Sequence, residues 1–144
     1  MVRYTPRTRR VGGLPKGVNL YGPTEAAVGI TPKWVDNGQI HNIGAPHFNS
    51  QCHVVDPETL QVQPVGVSEK LLAGGIQVAR GYLNRPDLTS EKFIHCPWDM
   101  DLGRLYRSAN LLRWLPCGQL AIHGRMNSQI KLRGFRIKLG EVET

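Results

Sequence analysis

The sequence predicts an α+β fold that is predominantly β, and three observations predict it. Sixteen glycines and ten prolines in 144 residues cut the chain into short pieces, which favours strands and turns over a helix bundle. Its apolar residues recur in short β-branched or alternating runs, as at 51–55 and 119–123. The best helix candidate is one short segment, residues 86–93. With 40% apolar and 20% charged residues, the chain is neither a disordered tail nor a membrane span, since no apolar run approaches the roughly 20 residues a bilayer requires.

In chain order, a basic leader ends near Val18, and residues 19–25 open the first dense cluster. Residues 26–30 are small and apolar and are expected to be buried. Ile43-Gly44-Ala45-Pro46 reads as a turn, and 51–55 as a strand stopped by Asp56-Pro57. Residues 60–65 alternate apolar and polar, which predicts the hairpin partner of that strand. Leu71-Leu72-Ala73 runs into Gly74-Gly75. In 86–93, Pro86 suits a first helical turn, Asp87 lies early, and Leu88 and Phe93 would share a buried side. Thereafter the pattern is strand, turn, strand: 105–107, 111–115, the turn Pro116-Cys117-Gly118, then 119–123. Residues 129–132 and 135–139 alternate around Arg133-Gly134.

The formal charge is +7, which raises the question of nucleic acid. Arg3, Arg7, Arg9, Arg10 and Lys16 supply five of those charges with no acid among residues 1–16. No apolar stretch follows to make the leader a secretory signal. A second run, 104–138, holds eight cations and no acid; its bland reading is solvated strand faces and its sharp one an anion-binding face. Neither carries nucleic-acid motifs, and no nucleic-acid partner is expected. Cys52, Cys96 and Cys117 are odd in number and widely spaced. They predict free thiols in a reducing, cytoplasmic setting, and with the five histidines they show no metal spacing.

Two glycine-bearing clusters invite chemistry. Residues 74–82 match neither the dinucleotide fingerprint nor the phosphate loop. Tyr21-Gly22-Pro23-Thr24-Glu25 puts an aromatic, a tight turn, a hydroxyl and a carboxylate within five residues. Tyr21 is suited to stack on a planar base, with Thr24 and Glu25 offering hard oxygens to phosphate and Mg²⁺. A plain loop with a helix cap satisfies the same residues.

Residues 19–25 resemble the Asn-x-Tyr-Gly-Pro-Thr-Glu motif of nonribosomal peptide synthetase adenylation domains, members of the adenylate-forming, AMP-binding ligases. The resemblance continues in order through Ile43-Gly44-Ala45-Pro46, residues 74–86, residues 105–110, Arg113-Trp114-Leu115-Pro116 and residues 124–143. It implies a distorted β-barrel subdomain within 19–126, where the large AMP-binding subdomain ends. After it come a hinge at Asn127 and the start of a small C-terminal subdomain over 127–144. The parent reaction it implies condenses ATP with an amino acid to aminoacyl-AMP and pyrophosphate, followed by loading of a carrier-protein thiol. By position, Tyr21, Gly22, Thr24, Glu25, Asn110 and Arg125 would bind nucleotide. Glu25 would also address Mg²⁺, and Leu20, Val28 and Gly29 would line the amino-acid pocket.

The resemblance also implies that the family's phosphate loop and catalytic lysine fall outside these residues. No catalytic residue is therefore assigned, and isolated turnover is not expected. The family's Thr-Gly-Asp stands here as Ser108-Ala109-Asn110, its hinge aspartate as Asn127, an acid before Leu139 as Lys138, and a Gly-Glu pair as Glu69-Lys70. Glu69 would set a Cβ where a glycine-bearing turn wants a positive φ. Asp to Asn, Glu to Lys and Gly to Glu are each one G-to-A base change, the pattern of a gene remnant. The alternative reading is a non-catalytic module that docks on other synthetase segments.

Overall fold

A computed structural model of the chain describes residues 17–34, 41–126, 129–132 and 135–138. Most of residues 1–18, the hinge Asn127, the Arg133-Gly134 break and the motif from Leu139 onward lie outside them. Strands dominate, as composition predicts. Val18–Tyr21 (β1) and Thr31–Trp34 (β2) form an antiparallel pair. Asn42–Gly44 (β3), Ser50–Val55 (β4), Glu69–Gly75 (β5), Phe93–His95 (β6), Arg104–Trp114 (β7) and Leu120–Arg125 (β8) make a six-stranded sheet. It runs β3-β8-β7-β5-β4 and curls into a half-barrel. Gln129–Leu132 (β9) and Phe135–Lys138 (β10) pair antiparallel.

β7 organises the sheet. One edge pairs with β5 along its length; the other takes β6 at residues 104–106 and β8 at residues 110–114. The sheet is buried on both sides. Cys52, Val54, Leu71, Ala73, Leu112 and Leu120 pack on one face with Ala26, Ile30 and Ile43. Val55, Leu72, Cys96 and Leu105 pack on the other. The period-2 alternation of strands explains why neighbours such as Val54 and Val55 are both buried.

Three expectations change. Residues 60–65 do not form the hairpin partner of β4, which pairs with β5 instead; only Val62 bridges back, to Val55. Pro64 has no N–H to donate, and the Asp56 carboxylate spends itself on the turn, accepting from the Glu58 and Thr59 amides. Residues 105–107 and 111–115 are not separate strands but parts of one, because the intervening polar residues are satisfied inside it. Glu69 and Lys70 open β5 as ordinary strand residues opposite Leu112 and Leu111, with no positive φ at either. The helix Pro86–Lys92 (α1) forms as expected, with Phe93 buried beyond its end and Leu88 half-buried.

The thiols divide sharply. Cys52 and Cys96 are buried, Cys117 is exposed, and burial pushes the Cys52 thiol up to about 12. A thiol reagent is therefore expected to label Cys117 rapidly and the other two only on unfolding, read by mass shift against urea. Burial also holds His53 below its ordinary 6.5, and its Nε2 is buried without a partner. The unfolded chain binds that proton more readily, so stability should fall as pH drops through 6.5 toward the lower folded value. His53→Phe should flatten this part of the urea-midpoint profile.

Candidate functional site

The Tyr21–Glu25 cluster is built by backbone constraint. β1 delivers Tyr21, and Gly22-Pro23 leads into a single 3-10 turn over Thr24–Ala26. The Pro23 carbonyl accepts from both Ala26 N and Val28 N, closing the turn on itself. Ala27 and Val28 then both take positive φ, 51° and 65°. Gly29 N donates to Ala27 O at 2.7 Å, so Val28 sits at the centre of a three-residue turn of the rare, strained kind. The expected burial of 26–30 holds only for Ala26 and Ile30, because this turn throws Ala27 and Val28 outward. A Cβ on Gly22 would stand 2.6 Å from the Val28 carbonyl oxygen, so only glycine fits beneath the turn.

β7 brings the second part. Leu72 pairs with Arg107 and Lys70 with Leu111, leaving Ser108, Ala109 and Asn110 opposite Leu71 alone. This β-bulge re-aims the side chains beside it. Ser108 is buried and donates through Oγ to Leu71 O at 2.9 Å, and its Oγ accepts from Asn110 N at 3.2 Å. Asn110, 5% exposed, is thereby aimed at β1. Its Nδ2 donates to the Tyr21 hydroxyl at 2.5 Å, and its Oδ1 accepts from Arg125 Nε at 2.8 Å. Residues from three strands thus meet in one hydrogen-bonded chain. Burial raises the Tyr21 phenol well above its ordinary range, so it stays protonated.

A second cluster surrounds Glu25. Its carboxylate accepts from the Tyr82 hydroxyl at 2.6 Å and from the Tyr106 hydroxyl. The two phenol oxygens lie 3.4 Å apart. Its backbone carbonyl also accepts from Ala79 N at 2.8 Å. Burial, reinforced by the carboxylate, raises both phenols above their usual range. Neither tyrosine was singled out by sequence reasoning. Both lie inside motif segments, but nothing in 74–82 or 105–110 says that two phenols converge on a carboxylate 57 residues away from the first of them.

The other sequence-assigned residues scatter. Thr24 is exposed, as are Leu20 (60%) and Val28 (56%), while Gly29 is half-buried. Among the described residues no group of three or more His, Cys, Asp and Glu is placed to hold a metal. The cations of 104–138 are partly spent internally: Arg104 donates to Ala79 O and Arg80 O, Arg107 to Pro57 O, and Arg125 to Asn110. An open cleft of about 400 Å³, lined by Gln51, Gly75, Asp101 and Arg104 among others, includes none of the assigned residues. No helix of the described residues is long and apolar enough to cross a membrane.

Comparison with known proteins points to one family. Residues 4–83 match the family described as AMP-binding enzyme. Bacitracin synthase 3 of Bacillus licheniformis is 47% identical over 126 residues, which is 88% of this chain and 2% of that protein. Gramicidin S synthase 2 of Brevibacillus brevis is 43% identical over 139 residues, 93% of this chain and 3% of the synthase. Among solved structures, PA1221, a nonribosomal peptide synthetase protein containing adenylation and carrier domains, superposes with TM-score 0.75 at 29% identity, over 88% of this chain and 26% of its own. The four-domain synthetase AB3403, bound to AMP and glycine, gives 0.71 at 38% identity, over 87% of this chain and 9% of its own. The chain thus spans only a few per cent of these curated relatives. On this match and the ordered motifs, the chain belongs to the AMP-binding enzyme family, on the branch of nonribosomal peptide synthetase adenylation domains.

Proposed function

We propose that this chain forms the nucleotide-facing wall of a site that activates an amino acid with ATP. In that reaction an amino-acid carboxylate oxygen bonds to the α-phosphorus as the bond to the bridging oxygen breaks, and pyrophosphate leaves with the electron pair. The carrying observation is the Tyr21–Asn110–Arg125 chain, whose members lie 89 and 15 residues apart in sequence. The AMP and glycine bound to AB3403 support the ligand classes. The half-buried Tyr21 ring would stack on adenine, and Asn110 with Arg125 would hold the ribose. Thr24 and Glu25 would face the phosphates, and Leu20, Val28 and Gly29 the amino acid. A carboxylate offers about four lone-pair positions, more than two phenols fill, so Glu25 fits Mg²⁺ as one oxygen ligand. That ion would supply charge neutralisation at phosphate.

The resemblance of residues 124–143 to the family motif supports a boundary at Asn127, with 19–126 closing the large subdomain and 127–144 opening the small one. The carrier domain in PA1221 supports a carrier protein as the acceptor. Three free thiols support a reducing, cytoplasmic setting. Titrating the chain with AMP by calorimetry tests the reading. Weak binding is expected, and Arg125→Ala should weaken it about tenfold, the scale of one hydrogen bond from a charged donor. Binding indifferent to Arg125→Ala would overturn it.

A second reading, a module that docks on other synthetase segments, is favoured by one observation. Val18, Leu20 and Trp34 share the β1–β2 ribbon and are 43%, 60% and 62% exposed. Val18→Glu with Trp34→Glu should abolish such docking and leave AMP affinity unchanged.

A further inference from the structure

We propose that Tyr82 and Tyr106 are positioning residues for Glu25: a pair of phenols that fixes its carboxylate for the metal-bearing phosphates. This rests on the reading of Glu25 given above.

Glu25 sits on a three-residue 3-10 turn that is stabilised by its own short hydrogen bonds. A carboxylate on so short an element has rotamer freedom that costs affinity when a ligand must order it. Here the ordering is done in advance. Ala79 N holds the Glu25 carbonyl, and Tyr82, three residues further on, holds its carboxylate at 2.6 Å. Both ends of one residue are therefore clamped by one segment, 79–82.

That segment is itself braced. Tyr82 N donates to Thr89 Oγ1 at 2.9 Å, and the Arg104 guanidinium donates to Ala79 O and Arg80 O. Arg104 also lies over the Phe93 ring, 5.2 Å from its centroid. Phe93 wedges between the phenols, edge-on to Tyr82 at 5.5 Å and tilted against Tyr106 at 5.2 Å. The rings are set by packing and the hydroxyls by Glu25. Phenylalanine would keep the first and lose the second.

The test compares wild type with Tyr82→Phe, Tyr106→Phe and Glu25→Gln. Two readouts are taken: ATP affinity with and without Mg²⁺, and the tyrosine Cζ signals in a ¹³C-labelled chain. Mg²⁺ is expected to tighten ATP binding about tenfold in wild type, the scale of one charge-assisted contact. Each phenylalanine variant should reduce that gain to about twofold while leaving the metal-free affinity unchanged. Glu25→Gln should abolish the gain and move the Cζ signals of both tyrosines, which would stay in place if the phenols did not contact the carboxylate. The Mg²⁺-dependent gain is the readout that a purely structural role would not move. If Glu25→Gln loses the gain and both phenylalanine variants keep it, the positioning role is overturned and the site reading survives. If Glu25→Gln keeps the gain, the metal reading of Glu25 falls and the proposal with it. Tyr82 is the less buried phenol, so Tyr82→Phe carries the test should Tyr106→Phe fail to fold.

Discussion

Gly22→Ala is expected to cost about 2–3 kcal/mol of stability and to erase nucleotide binding together. The added methyl would meet main chain, standing 2.6 Å from the Val28 oxygen and 2.7 Å from its carbonyl carbon. Main chain is the neighbour least able to give way here. Val28 is already held at φ 65° between the bond from its own N–H to Pro23 O and the bond from Gly29 to Ala27 O. Relief would require unpicking the turn that carries Thr24 and Glu25. A urea midpoint measured with and without AMP checks both parts. A variant as stable as wild type would show that the turn is looser than described.

Asn110→Asp is expected to act in the opposite direction and strengthen AMP binding about tenfold, since charge-assisted bonds are roughly twice as strong as neutral ones. The amide at 110 divides its capacity, donating to Tyr21 and accepting from Arg125. A carboxylate there is acceptor-only and takes Arg125 and the ribose hydroxyls together, while the Tyr21 hydroxyl turns its hydrogen round to donate. Arg125 at 2.8 Å offsets the cost of a charge at a position only 5% exposed. Calorimetry against AMP and a 2′,3′-dideoxy analogue checks this. The gain should appear for AMP and vanish for the analogue. Equal gains for both would place the new charge away from the ribose.

How far the sequence goes depends on the range of the interaction. Local signals held: Pro86 and Asp87 start the one α-helix among the described residues, and Pro116-Cys117-Gly118 turns the chain between β7 and β8. Residues 60–65 misled because alternation reports a half-buried surface without naming its partner, and a strand further along, β5, took the place. Residues 108–110 stand between the two strand segments, 105–107 and 111–115, that the local pattern picks out. Only the pairing against Leu71 shows them to be a bulge whose buried hydroxyl and amide are satisfied. At the site, Tyr21, Asn110 and Arg125 were nameable through their motifs, and the structure brings them together. That Asn110 links the other two, and that Tyr82 and Tyr106 converge on Glu25, depends on contacts across 57 to 89 residues that no local pattern encodes.

The most direct test of the nucleotide wall is an amide NMR spectrum of the chain with and without excess AMP. The account predicts dispersed signals whose AMP-induced shifts concentrate at Tyr21, Asn110 and Arg125. A dispersed spectrum that is indifferent to AMP, or that shifts only around the cleft at Gln51 and Arg104, would contradict it.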